Sequence, residues 1–167
     1  NSSLWGCGNN PYGQLGRIAC QIYSPIQIIS SSNWLKIHAG TTHFLAIDTS
    51  NALWAMGNNS WGQLGTSDYT FRSSPVQLGT SSWRQISVGI FYHNVAIQNN
   101  GSLWTWGNNS WGQLGKHKNN VYVYSPVMLG NSETYWKDIQ LDHMGQSMLA
   151  IKSDSTLWGW GSAQAYN

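Results

Sequence analysis

The chain has 167 residues, enough for one domain with a real core, and carries a formal net charge of +2. Only 8% of its residues are charged while 41% are hydrophobic, far below the roughly 25% charged of ordinary domains, so its polar surface is built from Ser, Asn, Thr and Gln. No basic stripe meets a phosphate backbone and no run of about eighteen apolar residues spans a bilayer, which sets aside nucleic acid as a partner and insertion into a membrane.

In chain order, Leu4-Trp5 opens a strand over about 4–8, and GNNPYGQLG follows at 8–16. A Ser-Pro pair at Pro25, a Trp-x-x-Ile run at Trp34, Ala46-Ile47, Leu53-Trp54 and GNNSWGQLG at 57–65 come next. The same order then returns at Pro75, Trp83, Ala96 and Leu103, and the nine residues of 57–65 recur letter for letter at 107–115. A third pass starts at Pro126, continues through Trp136, Ala150 and Leu157, and ends in GSAQAYN, which begins another such loop without completing it. Self-similarity at a period of about 50 residues marks a stack or ring of identical units. The segments between the punctuation are short, rich in Val, Ile, Trp and Thr, and lack a 3.6-residue apolar period, so they are strands. Seven residues separate Ala-Ile from Leu-Trp in all three copies, and Asn100-Gly101 lies in the middle of one such interval. A constant loop with a positive-φ dipeptide predicts a constant tight hairpin.

Four strands in about 50 residues is the arithmetic of a propeller blade. SSPVQLGTSSWRQISVG (73–89) and HNVAIQNNGSLWTWGNNSWGQLG (93–115) resemble the repeat of the regulator-of-chromosome-condensation family, in particular its secreted bacterial-type members, and the likeness covers essentially the whole chain. The resemblance implies an all-β ring of seven blades, each of four antiparallel strands. This chain is expected to supply three complete blades, about 25–57, 75–107 and 126–161, plus the leading strand at about 4–8, as one array over 1–167. Further blades are expected from a longer chain or from other copies, since a partial ring leaves strand edges unpaired. The absence of an initial Met is read as a mature product or a piece of something longer.

A residue type present in every copy serves the frame. All eleven tryptophans fall in repeated slots, each able to bury roughly 150–250 Å², and are expected to be packing residues. The Gly-Trp-Arg-His-Thr motif of the family's ultraviolet photoreceptor is absent. His43 and His93 share a slot that holds Ser147 in the third copy, which points to a turn hydrogen bond and not to a metal. His38, His117 and His143 have no second ligand at a metal spacing. The six carboxylates, among them Glu133, lie in different loops, and no nucleophile elbow or phosphate loop exists. Neither enzyme activity nor a cofactor is expected. Cys7 falls in the slot of Met56, Trp106 and Trp160, so it reads as a small core residue. It is also a candidate disulfide partner for Cys20.

Recognition belongs where the copies differ. The variable loops carry Tyr69, Phe71, Arg72, Phe91, Tyr92, Tyr122 and Tyr124, residue types favoured at interface centres; packing between neighbouring blades is the alternative reading. Asn1, Asn58, Asn100 and Asn108 head Asn-x-Ser sequons and are candidate glycosylation sites, although turn chemistry also explains the last three. The functional expectation is a non-catalytic secreted or cell-surface propeller that binds a protein or a glycan. The alternatives are a filament or coat subunit assembled through blade edges, and the family's nucleotide-exchange and chromatin role.

Overall fold

Runs that alternate Leu, Ile or Val with small and polar residues form strands, and the Asn, Gly and Ser between them reverse the chain. The computed structural model describes residues 3–17, 20–29, 33–115, 121–130, 134–142 and 146–162. Within them lie thirteen strands and no helix, and so no helix long and apolar enough to cross a membrane. β1 (Leu4–Gly8) pairs with β2 (Ile22–Ile29). β3 (Trp34–Ala39), β4 (His43–Asp48), β5 (Leu53–Gly57) and β6 (Arg72–Gln77) form a four-stranded antiparallel sheet in sequence order. β7 (Trp83–Val88), β8 (His93–Gln98), β9 (Leu103–Asn108) and β10 (Tyr122–Met128) form a second. β11 (Trp136–Leu141), β12 (Ser147–Lys152) and β13 (Leu157–Gly161) form a sheet of three.

The strands fall where the sequence places them, but their grouping is different. The expected blades begin with the Ser-Pro strand; the hydrogen bonds attach that strand to the Leu-Trp strand before it, through Gly6↔Ile26, Ala55↔Val76 and Thr105↔Val127. Two complete blades therefore run over 34–77 and 83–128, with a pair of strands before them and three strands after, in place of three complete blades and a single leading strand. A repeat period fixes spacing and not phase, which explains the shift. Proline explains the position: Pro25, Pro75 and Pro126 each lie where the ladder skips, between Gly6 and Gly8, Ala55 and Gly57, and Val123 and Val127. A residue without an N–H is tolerated on an outer strand and at such irregularities.

Side chains of one sheet cover the next. Leu45, Ile47 and Leu53 of the first complete blade are fully buried against Trp83, Ile86, Ala96 and Trp106 of the second. Val95, Ile97 and Leu103 repeat the arrangement under Trp136, Ile139, Met148 and Ala150. The equivalent Leu149, Ile151 and Leu157 are 48%, 37% and 68% exposed, because no described element lies on that face. Cys7 is exposed for the converse reason. Met56 packs back onto Leu4 and Trp106 onto the first complete blade, whereas no described element precedes β1. The core placement expected of Cys7 is corrected accordingly. Both Cys7 and Cys20 are free, exposed thiols and form no disulfide.

The hairpin tips are built alike. Position 51, 101 or 155 adopts a left-handed backbone, occupied by Asn51 (φ 65°), Gly101 (φ 84°) and Ser155 (φ 69°). In the first complete blade the strain is offset by Asp48. Its carboxylate accepts from Ser50 N at 2.9 Å, Ala52 N at 3.0 Å and the Trp54 indole at 2.8 Å. Burial raises the Asp48 pKa, but the Ser50, Trp54 and Ala52 donors outweigh it and hold the carboxyl below its ordinary value. Asp48→Ala strands those donors and is expected to lower stability by about 2 kcal/mol in urea unfolding. The corresponding Asp154→Ala, on an exposed tip, should lower it less.

Candidate functional site

The nine-residue turn recurs because its side chains close its own backbone. Asn59 Oδ1 accepts from Leu64 N at 2.9 Å, Gln63 Oε1 from Trp61 N at 2.8 Å, and Asn58 Oδ1 from Ser60 N at 2.8 Å. Asn109, Gln113 and Asn108 repeat these bonds to Leu114, Trp111 and Ser110 at 3.0, 2.8 and 2.9 Å. Asn10 and Gln14 make the first two in the looser copy. Asn58 and Asn108 are only 6% and 8% exposed, so as glycan acceptors they are corrected to turn residues. Asn100 is exposed at a hairpin tip, and Asn1 lies outside the described residues.

With the turn closed from within, the ring at its apex is free to point outward. Tyr12 and Trp111 are 38% and 45% exposed, and Trp61 is half-buried. Repetition therefore does not make every tryptophan a packing residue; Trp5 and Trp158 are also about half exposed.

Trp61 is the hub of the site that sequence reasoning missed. Its ring stacks on Tyr92 at 6.1 Å and 10°, and meets Tyr122 at 4.8 Å. Two expected residues, from the β7–β8 turn and the start of β10, are thus joined by a third from the turn after β5. Tyr92 holds φ 63°, a costly conformation for an aromatic residue. Gly62 lets the turn lie on β10: a Cβ there would stand 2.6 Å from the Tyr124 Cα. Ser67 N donates to the Tyr124 carbonyl at 2.8 Å, and Tyr69 packs on the Tyr124 ring at 5.6 Å. The two aromatic groups consequently flank one glycine along β10. Tyr69, Tyr122 and Tyr124 keep 52%, 37% and 46% of their surface exposed. Phe71 is exposed without a ring contact and Phe91 is half-buried. Arg72 is tied to Asp68 at 2.6 Å and to the Thr70 carbonyl, which makes it a loop brace.

Beneath this face runs a buried polar bridge between the two complete blades. Asn94 Nδ2 donates to the Gln63 carbonyl at 2.7 Å, and the Trp106 indole donates to the same oxygen at 3.0 Å. That orientation leaves Asn94 Oδ1 to accept from His43 Nε2 at 2.9 Å, fixing the Nε2–H tautomer. Burial pushes the His43 pKa down to about 4 against the raising effect of Asn94. It pushes His93 to about 4 as well, helped by the neighbouring His43. Gly89 is required beside His93, where a Cβ would collide with the imidazole. The described residues contain no group of three His, Cys, Asp or Glu placed to hold a metal; His117, His143 and Glu133 lie outside them.

The regulator of chromosome condensation (RCC1) repeat model matches residues 1–47, 50–97 and 100–140, and a second model of that repeat matches 83–113. The chain belongs to the RCC1 repeat family. No curated protein is significantly similar to it in sequence. Among solved structures, human WBSCR16 superposes with a TM-score of 0.82 at 23% identity, over 96% of this chain and 43% of that one. Yeast RCC1 (Prp20), solved bound to Kap60, gives 0.78 at 20% identity over 96% and 40%; another Saccharomyces cerevisiae Prp20p structure is described with its binding to Gsp1p and histones. The ectodomain of the Physcomitrella patens receptor kinase CR4 gives 0.56 at 15% identity, over 92% and 34%. These likenesses carry the RCC1 propeller fold, and the chain spans less than half the length of each relative.

Proposed function

We propose that this chain is a non-catalytic protein-binding segment of an RCC1-type propeller, and that its recognition surface is the loop face around Trp61, Tyr92 and Tyr122. The observation that supports this reading is an aromatic cluster in which Tyr92 and Tyr122, from loops that differ between copies, meet Trp61 of the repeated turn and stay partly exposed on a hydrogen-bonded frame. Aromatic anchors of this kind concentrate binding energy in protein interfaces. Protein partners are also known for that relative: yeast RCC1 (Prp20) is bound to Kap60, and Prp20p binds Gsp1p and histones. Secretion, a cell-surface location and a glycan ligand remain part of the proposal, supported by the low charge and the Asn-, Ser- and Thr-rich surface. A second reading is favoured by the open face of Leu149, Ile151 and Leu157: further sheets, from the same chain or other copies, assemble there.

Trp61→Ser with Tyr122→Ser tests the first reading. Against wild type, partners recovered from the native source after chemical cross-linking should fall at least about tenfold, the loss of one hot-spot pair, while the thermal transition persists. Recovery of the same partners in undiminished amount would refute the loop face.

A further inference from the structure

The three larger sheets carry the same pair of indoles. Trp34 and Trp54 stand 6.0 Å apart at 81°, Trp83 and Trp104 6.1 Å at 73°, and Trp136 and Trp158 6.2 Å at 77°. Directly across the ladder from the first Trp of each pair lies one residue that changes: Asp48, Gln98 or Lys152. The indole pair is constant, while the residue across from it and the partner of the second indole N–H, Asp48, Ser102 or Thr156, both vary.

In the third sheet that residue shows what the pair accepts. The Lys152 ammonium lies 4.9 Å from the Trp136 ring centroid and 4.0 Å from that of Trp158, within the roughly 6 Å over which an indole face attracts a cation. In the first complete blade the Asp48 carboxylate is held by the Trp54 indole N–H at 2.8 Å. In the second, Gln98 is neutral, and its amide oxygen accepts from Ser102 Oγ at 3.3 Å. Trp83, Gln98 and Trp104 there line a cleft of about 430 Å³ between this blade and β6, walled by Gln77, Ser81 and Pro126. Arg72 also reaches the cleft, but its charge is paired with Asp68. A cleft of this size has room for a small ligand or a protein side chain.

We propose that this cleft binds an alkylammonium group, seated on Trp83 and Trp104 as the Lys152 ammonium is seated on Trp136 and Trp158. Its source is either the lysine side chain of a protein or a free quaternary amine. The site stands on the indole pair and not on the loop face, so the two proposals fail separately.

The test follows the indole N–H resonances of the ¹⁵N-Trp-labelled chain during titration with tetramethylammonium chloride and, separately, with Nα-acetyl-lysine methylamide. Sodium chloride and methyl glucoside serve as controls. The Trp83 and Trp104 signals are expected to shift saturably, with half-saturation on the order of 1–10 mM, the range for a ligand held by a few contacts. A response to the lysine amide alone identifies a protein side chain, a response to tetramethylammonium alone a free quaternary amine, and a response to both a general alkylammonium site. Gln98→Lys should abolish the shift by placing a tethered ammonium on the pair, with unchanged Trp61 and Trp111 signals reporting an intact fold. Should that variant not fold, Trp104→Phe should weaken binding about fivefold, as the poorer cation acceptor. The proposal is overturned if neither amine shifts these signals beyond sodium chloride, if methyl glucoside alone shifts them, or if a folded Gln98→Lys variant binds as wild type does.

Discussion

Trp106→Ala is expected to destabilise the protein by about 3–5 kcal/mol, the range for removing a large aromatic side chain from a packed core. Trp106 is fully buried and lies in the cluster that joins Leu45, Leu53 and Leu64 of one complete blade to Trp83 and Ala96 of the next. Its loss opens a cavity at that junction and removes one of the two donors to the Gln63 carbonyl. Trp106→Phe separates the two effects: most of the packing remains, and the loss should fall to about 1–2 kcal/mol, mainly the missing hydrogen bond. Trp111→Ala, five residues on at an exposed turn apex, is the control and should cost under about 1 kcal/mol. Urea unfolding of the three variants reads all of these values. Equal losses at positions 106 and 111 would contradict the packing described.

Acidification from pH 7 to pH 4 is expected to have a comparable effect through His43 and His93. Both are held neutral by burial with pKa values of about 4, against an ordinary 6.5. Between those values the unfolded chain binds protons that the folded chain refuses, so stability falls as the pH falls. The contribution is fully present above pH 6.5, declines by about 2 kcal/mol per histidine at pH 5, and levels off near about 3 kcal/mol each below pH 4. Asp48 and Asp68 have depressed pKa values and lose their contributions below pH 4, so the upper window belongs to the histidines, mainly His43 and His93, with a further part from His38, whose pKa burial and Lys36 also lower. His43→Gln with His93→Gln should flatten the dependence of the unfolding midpoint between pH 6.5 and 4. An undiminished slope in that double variant would show that other groups carry it.

Much of this architecture is legible in the sequence because local chemistry determines it. The short Val-, Ile-, Trp- and Thr-rich segments without a 3.6-residue period, the constant seven-residue interval and the Asn-Gly dipeptide locate strands and hairpins without reference to anything distant. The Ser-Pro strand is different: whether it ends one sheet or begins the next depends on how the loop over 58–71 folds back onto β5, and a periodic sequence reads the same in either phase. The site is half legible. Tyr92 and Tyr122 stand out because their loops vary between copies. Trp61 does not, since its turn is repeated letter for letter, and only the closure of that turn by Asn59 and Gln63 shows why the indole is turned outward. Cys7 fails for a related reason: a slot that is core in one copy is core only when another sheet covers it.

A photo-cross-linking scan tests the functional account most directly. p-Benzoylphenylalanine placed singly at Phe71, Tyr122, Ile37, Leu149 and Leu157 samples the loop face, the exposed edge strand β3 and the open face of the last sheet. Protein adducts are expected from positions 71 and 122, disappearing when Trp61→Ser is added, while position 37 stays unlinked. Adducts confined to positions 149 and 157, with none from the loop face, would show that the sheet ends are the functional surface and contradict the loop-face reading.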